Sequence, residues 1–261
     1  MQDSLLDIPL DLAGQTALIT GSTSGIGRAI ALELAAAGAD VVIHGRNNQA
    51  AADDLAGRIQ GLGRRGLVLL ADLAEAGNHA GLVDGAWDWR GQLDIWINNA
   101  GADVLTGPAA LESFEQKLAR LWQVDVLATM QLSRLIGRKM KAQGRGVILN
   151  MGWDQAEFGM AGDSGEMFAA TKGAIMAFTR SLAQSLAPEV RVNCLAPGWI
   201  KTSWGEQAGG YWQQRACQES LRGRWGTPDD VARAARFLVS PQADFISGAT
   251  LPINGGWRRG T

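Results

Sequence analysis

Apolar residues along this chain come in short runs that alternate with stretches of helical periodicity. Short runs predict strands at residues 15–20, 41–44, 67–71, 93–98, 146–151, 190–195 and 249–253. Helical periodicity follows the first strand to residue 37, where Gly38 ends the helix, and recurs over residues 113–143, 166–187 and 228–239. Because strands that alternate with helices form βαβ units, the pattern predicts an α/β fold with a doubly wound parallel sheet.

Two segments depart from this regular pattern. Gly137 is the weakest point of the helix predicted over residues 113–143, since glycine disfavours helix interiors. Residues 199–222 are rich in Gly, Trp and Gln and only weakly periodic, which is typical of a mobile loop over a binding site. The chain has no linker or repeat, so we expect residues 1–261 to form a single domain with a substrate lid at about 199–222.

Composition and charge exclude several classes of protein. Hydrophobic residues make up 46% of the 261 residues, enough for a sheet covered on both faces, and a net charge of −2 does not favour binding to nucleic acid or an anionic membrane. The sequence lacks the long apolar run of a membrane span and the features of a signal peptide. Cys194 and Cys217 are too few for a disulfide framework, so we expect reduced thiols, no metal site and a cytoplasmic location.

A glycine-rich turn joins the first predicted strand to the helix that follows it. It reads Thr20-Gly21-Ser22-Thr23-Ser24-Gly25-Ile26-Gly27. Glycines let the backbone approach a pyrophosphate closely, and the free N–H groups of the helix N-terminus attract its charge. Glycine also marks ordinary turns, but the strand-turn-helix context favours a nucleotide site in a Rossmann-type domain.

The spacing of these glycines resembles that of the short-chain dehydrogenase/reductase family. Three further motifs match the family in order: Asn98-Asn99-Ala100-Gly101, then Pro197-Gly198 with Thr202 at a phosphate-contacting position, then Ile246-Ser247-Gly248 with Asn254-Gly255-Gly256. The resemblance runs from about Asp11 to Trp257 and is to members like 3-oxoacyl-carrier-protein reductases. It implies nucleotide contacts from Gly21, Ser22, Thr23, Ser24, Gly25, Ile26, Gly27, Arg46, Asp72, Leu73, Asn99, Ala100, Gly101, Lys172, Pro197, Gly198, Ile200 and Thr202.

The end of the second strand bears on which nucleotide binds. NAD enzymes usually place an acid there for the ribose 2′-hydroxyl, whereas this chain has Arg46, which suits a 2′-phosphate. Arg46 is alternatively a solvated loop residue. We predict that NADP(H) is preferred and that NAD(H) is possible, while Asp72 and Leu73 resemble the family pair that contacts the adenine ring.

The catalytic positions of the family are mostly replaced. In relatives a tyrosine transfers the substrate proton, a lysine four residues later lowers its pKa, a serine orients the carbonyl and an asparagine completes a water chain. Lys172 matches the lysine, but Phe168 stands at the tyrosine position, Trp153 at the serine position and Asp125 at the asparagine position. Lys172 is either a ribose ligand or a surface helix lysine.

The tryptophans offer two interpretations. Trp153, with Trp199, Trp204 and Trp212 in or near the lid, could form an aromatic wall for an apolar, aromatic or sugar-like ligand. The same residues could instead fill and close the site, and Trp153 could be core packing.

A replacement proton donor would come from a few side chains. The candidates are Asp154, Glu157, Asp163 and Glu166, since a carboxyl buried against tryptophans can have a raised pKa, and Tyr211 in the lid. Each is alternatively a solvated loop residue. His44 and His79 are placed on the cofactor side and in a surface helix, and neither is expected to act.

Two functions remain open. The first is an NADP(H)-dependent oxidoreductase that acts on a small carbonyl or alcohol with a non-standard site, and the alternative is an inactive NADP(H)-binding pseudo-enzyme that senses the cofactor or joins an assembly. Lyase or isomerase chemistry is disfavoured, because halide-releasing relatives keep the serine and tyrosine but alter the glycine turn. The family implies a homo-oligomer, either a dimer or a tetramer. Several apolar positions are compatible with a subunit interface and equally with packing on the sheet: Leu121, Leu132, Ile136, Ile175 and Phe178.

Overall fold

The computed structural model describes residues 11–257, so the N-terminal residues on which the lack of a signal peptide was predicted lie outside it. The described part contains a seven-stranded, wholly parallel sheet in the order β3-β2-β1-β4-β5-β6-β7. The strands are β1 Thr16–Ile19, β2 Asp40–Gly45, β3 Gly66–Leu70, β4 Ile95–Asn98, β5 Gly146–Met151, β6 Val190–Pro197 and β7 Thr250–Ile253. The predicted doubly wound sheet is confirmed. Its strand order reverses between β1 and β4, which is where such sheets bind ligands.

Helices cover both faces of the sheet. They are α1 Gly25–Ala36, α2 Gln49–Gly61, α3 Asn78–Asp88, α4 Phe114–Leu121, α5 Thr129–Gln143, α6 Asp163–Leu186, α7 Ser203–Gln207, α8 Gly210–Glu219 and α9 Pro228–Val239. Neighbouring strand residues point to opposite faces: Ile19 joins the core under α1 and α9, whereas Leu18 joins the core under α5 and α6. This alternation explains why the strands read as continuous apolar runs. No helix among the described residues is both long and apolar enough to cross a bilayer.

The long helix predicted over residues 113–143 is interrupted, but not at Gly137. A capping box of Ser113 and Gln116 starts α4, and a π-helical segment, Trp122–Ala128, then joins α4 to α5. Gly137 lies inside regular α5, where a Cβ atom would come within 2.6 Å of Leu186 Cδ1 on α6. The prediction that Gly137 is the weak point is therefore wrong, because this glycine permits the close packing of two helices.

Several other expectations change once side chains are placed. His79 does not lie on a surface: it is buried, with its ring nitrogens 2.7 Å from Gln131 Oε1 and 3.0 Å from Leu73 O. Cys194 and Cys217 are free thiols, as predicted, and burial raises the pKa of Cys194 to about 11. The segment 199–222 contains α7 and α8, which weak periodicity did not reveal.

The apolar positions considered for assembly lie mostly inside the chain. Leu121, Leu132, Ile136 and Ile175 are each at most 1% exposed, and Phe178 packs against the core beneath α5 and α6. Packing within the subunit accounts for them without a partner. Assembly into a homo-oligomer stays a prediction.

Candidate functional site

The glycine-rich turn between β1 and α1 forms a cradle that only glycine permits. Gly21 and Gly25 have φ values of +63° and +53°, a region that disfavours other residues. A Cβ atom on Gly27 would lie 2.4 Å from both Gly21 O and Asn99 Nδ2. No side chain caps the N-terminus of α1 and its first turn carries no acid, so its N–H groups suit an anionic phosphate. These features fit a dinucleotide pyrophosphate.

The Asn99 side chain holds this turn in place. Its amide donates to Thr20 O at 2.9 Å and to Gly21 O at 3.2 Å. The backbone N–H groups of Asn99 and Ala100 both donate to Thr20 Oγ1 at 2.9 Å. The loop after β4 thus fixes the end of β1, and the Asn99 amide acts here on the protein itself.

His44 supports the glycine turn, a role that the sequence did not indicate. Its Nδ1 accepts from the Gly21 N–H at 3.1 Å, and its Nε2 lies 3.1 Å from Ala71 O. Its backbone exchanges hydrogen bonds with Ser22, whose N–H donates to His44 O at 2.8 Å. One imidazole therefore connects the glycine turn, β2 and the end of β3. The only signal in the sequence was a polar residue at the end of an apolar strand.

The neutral state of His44 should appear as a pH dependence of stability. Burial lowers its pKa from 6.5 to about 4, against smaller opposite effects of the Ala71 hydrogen bond and the Asp72 charge. The stabilisation is complete above pH 6.5 and is lost as pH falls through 4, about 3 kcal/mol in all. We expect urea unfolding to show this slope in the native protein and not in His44→Gln.

The His44→Gln variant is needed as a reference because another group titrates in the same pH range and changes the stability in the opposite direction. The pKa of Asp154 is raised to about 6, so its protonation below that pH favours the folded state. Subtracting the His44→Gln curve removes this contribution. Identical pH dependences in the two proteins would contradict a buried neutral His44.

The remaining candidate nucleotide contacts form a rim around the turn. Arg46 is exposed just after β2 and makes no ion pair with any residue in the range 11–257. Asp72 accepts a hydrogen bond from Ala74 N–H at 2.9 Å, and Leu73 is buried beside it. Thr202 lies across the turn, its Cγ2 3.7 Å from where a Gly25 Cβ would be. The loop after β6 therefore reaches over the turn, with Pro197 and Ile200 buried and Gly198 partly buried.

Lys172 and Asp125 form a buried ion pair at the centre of the site. Lys172 Nζ lies 2.8 Å from Asp125 Oδ2, and the two side chains are 14% and 2% exposed. Asp125 belongs to the π-helical segment, and its Oδ1 accepts from Ala102 N–H at 2.8 Å. The interpretation of Lys172 as a surface lysine is therefore wrong. A Cβ on Gly101 would lie 3.0 Å from the Asp125 carboxylate, so the loop after β4 connects the pair to the glycine turn.

An apolar aromatic pair occupies the other two family positions. The rings of Trp153, which follows β5, and Phe168, on α6 one turn before Lys172, lie 6.2 Å apart at an angle of 64°. Phe168 also packs against a small cluster that includes Val104, Leu121 and Met167. Neither ring can exchange a proton with oxygen, so this wall supplies shape and an apolar surface.

The tryptophans of residues 199–222 pack on one another and on Trp225 instead of joining Trp153. Trp199, Trp204 and Trp212 form a cluster with Trp225, with ring centroids 5.6 to 6.3 Å apart. Glu219 accepts hydrogen bonds of 2.6 Å from Trp199 Nε1 and from Arg215 Nε, and the Arg215 guanidinium stacks near two indoles. Among the described residues no ring contact joins these indoles to Trp153, so the four tryptophans proposed for an aromatic wall do not form one packed surface.

The candidate replacement acids differ sharply in burial. Glu157, Asp163 and Glu166 are exposed, and Tyr211 is 67% exposed on α8 with its ring against Trp212. Asp154 is buried, and its Oδ2 accepts from Asn254 Nδ2 at 3.0 Å. Burial raises its pKa to about 6, and the charge of Glu219 acts in the same direction.

Known proteins match this chain over nearly its whole length. The family model described as enoyl-(acyl carrier protein) reductase matches residues 21–258. A 2-dehydro-3-deoxy-D-gluconate 5-dehydrogenase of Dickeya dadantii is 33% identical, over 95% of this chain and 96% of the relative. A solved 7α-hydroxysteroid dehydrogenase, complexed with NADH and 7-oxo glycochenodeoxycholic acid, superposes with a TM-score of 0.87 at 33% identity, covering 96% and 97% of the two chains.

A second solved structure carries the phosphorylated nucleotide. It is a 3-oxoacyl (acyl-carrier-protein) reductase from Agrobacterium tumefaciens with NADP bound. It has a TM-score of 0.85 at 31% identity and covers 98% of this chain and 99% of its own. Similar proteins thus include complexes with both nicotinamide nucleotides.

Proposed function

The chain belongs to the short-chain dehydrogenase/reductase family, and on that premise we propose that it is an NADP(H)-dependent oxidoreductase acting on a small carbonyl or alcohol substrate. Its relatives are oxidoreductases, and NAD(P) binding follows from the family. The finer proposal is that the phosphorylated nucleotide is preferred and that the proton is handled without a tyrosine.

The observation that carries this proposal is the continuous path from the glycine cradle to the buried ion pair. The cradle contacts the loop after β4, and that loop contacts Asp125. Asp125 in turn pairs with Lys172. We propose that the cradle binds the pyrophosphate and Lys172 the nicotinamide ribose. This role of Lys172 requires no neighbouring tyrosine.

The chemistry of the site would rest on Lys172 as the proton donor. Bound NADPH would supply the hydride that reduces the carbonyl carbon. Lys172 Nζ would give a proton to the carbonyl oxygen, leaving a neutral amine that solvent reprotonates, and Asp125 would hold Nζ in position. Trp153 and Phe168 would face the apolar part of the substrate.

A second function is favoured by one observation. The Trp153–Phe168 pair replaces two hydrogen-bonding groups with packed rings, an arrangement equally suited to a closed site. In that case the chain binds NADP(H) without turnover, as a cofactor sensor or an assembly partner.

Turnover measurements with bound cofactor distinguish the two functions. NADPH binding is measured first by calorimetry for the native protein and for Lys172→Met, which must be shown to be folded. NADPH oxidation is then followed at saturating NADPH across a panel of small aldehydes and ketones, with Lys172→Met as the inactive reference. Saturable oxidation that Lys172→Met abolishes supports the oxidoreductase. Tight NADPH binding with oxidation no faster than in the variant supports the non-catalytic function, and absence of NADPH binding overturns both.

Arg46 should decide the preference between nucleotides. Replacing it by glutamine removes a charged donor for a 2′-phosphate, and hydrogen bonds to charged groups contribute about 1.5–3 kcal/mol. We expect the Kd for NADPH to rise roughly 10-fold to 100-fold, while the Kd for NADH stays unchanged. Calorimetric titration of both nucleotides measures this.

The control for Arg46 is another exposed arginine nearby. Arg58 on α2 pairs with Asp54 at the surface, so Arg58→Gln makes the same chemical change away from the rim. It should leave both affinities unchanged. An equal loss of NADPH affinity in the two variants would mean that general charge, and not a specific contact, attracts the nucleotide.

We also propose that residues 199–222 act as a substrate lid. Thr202 at its start already lies across the glycine turn, while contacts among Trp199, Trp204 and Trp212 and the Glu219 hydrogen bonds hold the rest of the segment together. Such a segment can move as a rigid body over the substrate site.

A further inference from the structure

An aspartate at the family's asparagine position changes the charge of the site. A lysine beside a neutral amide would contribute one uncompensated positive charge. Here Lys172 Nζ lies 2.8 Å from Asp125 Oδ2, and both side chains are largely buried. The two opposite charges cancel, so the pair contributes no net charge to the site.

Asp125 acts on a bound molecule through its charge and not as a ligand. Its Oδ2 contacts Lys172, and its Oδ1 accepts a hydrogen bond from the Ala102 N–H at 2.8 Å. Gly101 packs against the same carboxylate, since a Cβ atom on this glycine would lie 3.0 Å from Oδ2. Both oxygens of Asp125 are therefore engaged with the protein, whereas its contact with Lys172 uses only one of the three N–H donors of Nζ.

The nicotinamide ring differs in charge between the two redox states of the nucleotide. Removal of a hydride leaves the ring of NADP⁺ with a positive charge that the ring of NADPH lacks. If Lys172 binds the nicotinamide ribose, as proposed above, its ammonium group and the ring are neighbours, because the ring is bonded to that ribose. An uncompensated ammonium group would repel the oxidised ring and not the reduced one, and solvent screens buried charges only weakly.

The aromatic pair beside Lys172 favours the same redox state. Phe168 precedes Lys172 by one turn of α6, and its ring lies 6.2 Å from that of Trp153. These two residues occupy the family positions that act on the substrate, which reacts at the nicotinamide. Aromatic faces attract cations, so the pair suits a positively charged ring as well as an apolar group.

We propose that Asp125 is a specificity-determining residue for the redox state of the nucleotide: by cancelling the charge of Lys172, it raises the affinity for NADP⁺ relative to NADPH. This inference rests on the proposed function, since it takes Lys172 as the ligand of the nicotinamide ribose. It adds a preference between two redox states and applies to either direction of hydride transfer.

The test compares four proteins that differ in the net charge of the pair. The Kd values of NADP⁺ and NADPH are measured by calorimetry, at one pH and ionic strength, for the native protein, Asp125→Asn, Lys172→Met and the double variant. We expect the ratio of the NADP⁺ Kd to the NADPH Kd to rise at least about fivefold in Asp125→Asn and to fall at least about fivefold in Lys172→Met. The double variant again carries no net charge, so its ratio should return to within about twofold of the native ratio.

The ratio separates charge from structure. Lost packing or a lost ribose contact weakens both nucleotides alike and leaves the ratio unchanged, whereas a charge acts on the oxidised ring alone. The two single variants are expected to move the ratio in opposite directions. Either one that folds, compared with the native protein, therefore decides the test.

Asp94 provides the matched control. It is also buried and pairs with Arg145 at 3.0 Å, but it precedes β4, at the opposite end of this strand from the loop that contacts Asp125. Asp94→Asn should leave the ratio unchanged. Equal shifts in Asp94→Asn and Asp125→Asn, or no shift in the single variants at the pair, would overturn this inference while both nucleotides still bind. Failure of the native protein to bind either nucleotide would overturn the proposed function itself.

Discussion

Replacing Lys172 by methionine should lower the free energy of unfolding by about 3 kcal/mol or more, because the change leaves Asp125 as a buried carboxylate without its partner. Asp125 is only 2% exposed, and its remaining hydrogen bond comes from the Ala102 N–H. Urea unfolding at a fixed protein concentration measures the loss. The double variant Lys172→Met with Asp125→Asn removes both charges and should recover most of it.

A surface pair provides the matched control. Lys139 and Asp84 lie 2.9 Å apart with side chains 36% and 57% exposed. Lys139→Met should cost less than about 1 kcal/mol, since water screens such pairs. If Lys172→Met costs no more than Lys139→Met, or if the double variant is no more stable than the single one, the ion pair is not the source of the stabilisation.

Restoring the family side chains should have the largest effect on activity. The double variant Phe168→Tyr with Trp153→Ser places a phenol one helical turn before Lys172 and a hydroxyl at the end of β5. A positioned general acid contributes roughly 10²-fold to 10⁴-fold, so we expect kcat/KM for NADPH-dependent carbonyl reduction to rise at least about 10²-fold. Steady-state assays on the panel used for the native protein measure this.

Two further variants show whether the gain comes from the restored relay. Phe168→Tyr alone should give part of the gain, because Trp153 still occupies the place of the serine. Adding Lys172→Met to the double variant should abolish it. An increase that survives the loss of Lys172, or no increase in a double variant that binds NADPH normally, would contradict the assignment of these positions.

The sheet could be predicted closely from the sequence, because its inner strands are buried on both faces and read as apolar runs. The strand predicted at 146–151 is Gly146–Met151, and the helix predicted at 228–239 is Pro228–Val239. The glycine turn was predictable for a similar local reason, since its residues adjoin in sequence. What the sequence did not reveal depends on contacts between distant residues.

Lys172 and Asp125 illustrate this limit. Their pairing requires the π-helical segment to present Asp125 towards α6, and no periodicity in the sequence marks that turn. His44 looked like an isolated polar residue because its partners are distant in sequence: Gly21 lies just after β1 and Ala71 just after β3. Asp154 was one of several acidic loop residues until burial and the contact with Asn254 separated it from the rest.

The π-helical segment between α4 and α5 sets a rotational phase between two packing surfaces. Leu121 at the end of α4 packs with Val104 and Met167, while Leu132 and Ile136 on α5 pack beneath the sheet. Removing one residue of the segment would rotate the packing surface of α4 relative to that of α5 by about 100°, since a helix has 3.6 residues per turn. Substitution of its exposed residue Trp122 preserves the phase, so the segment should tolerate that change of side chain but not a change of length.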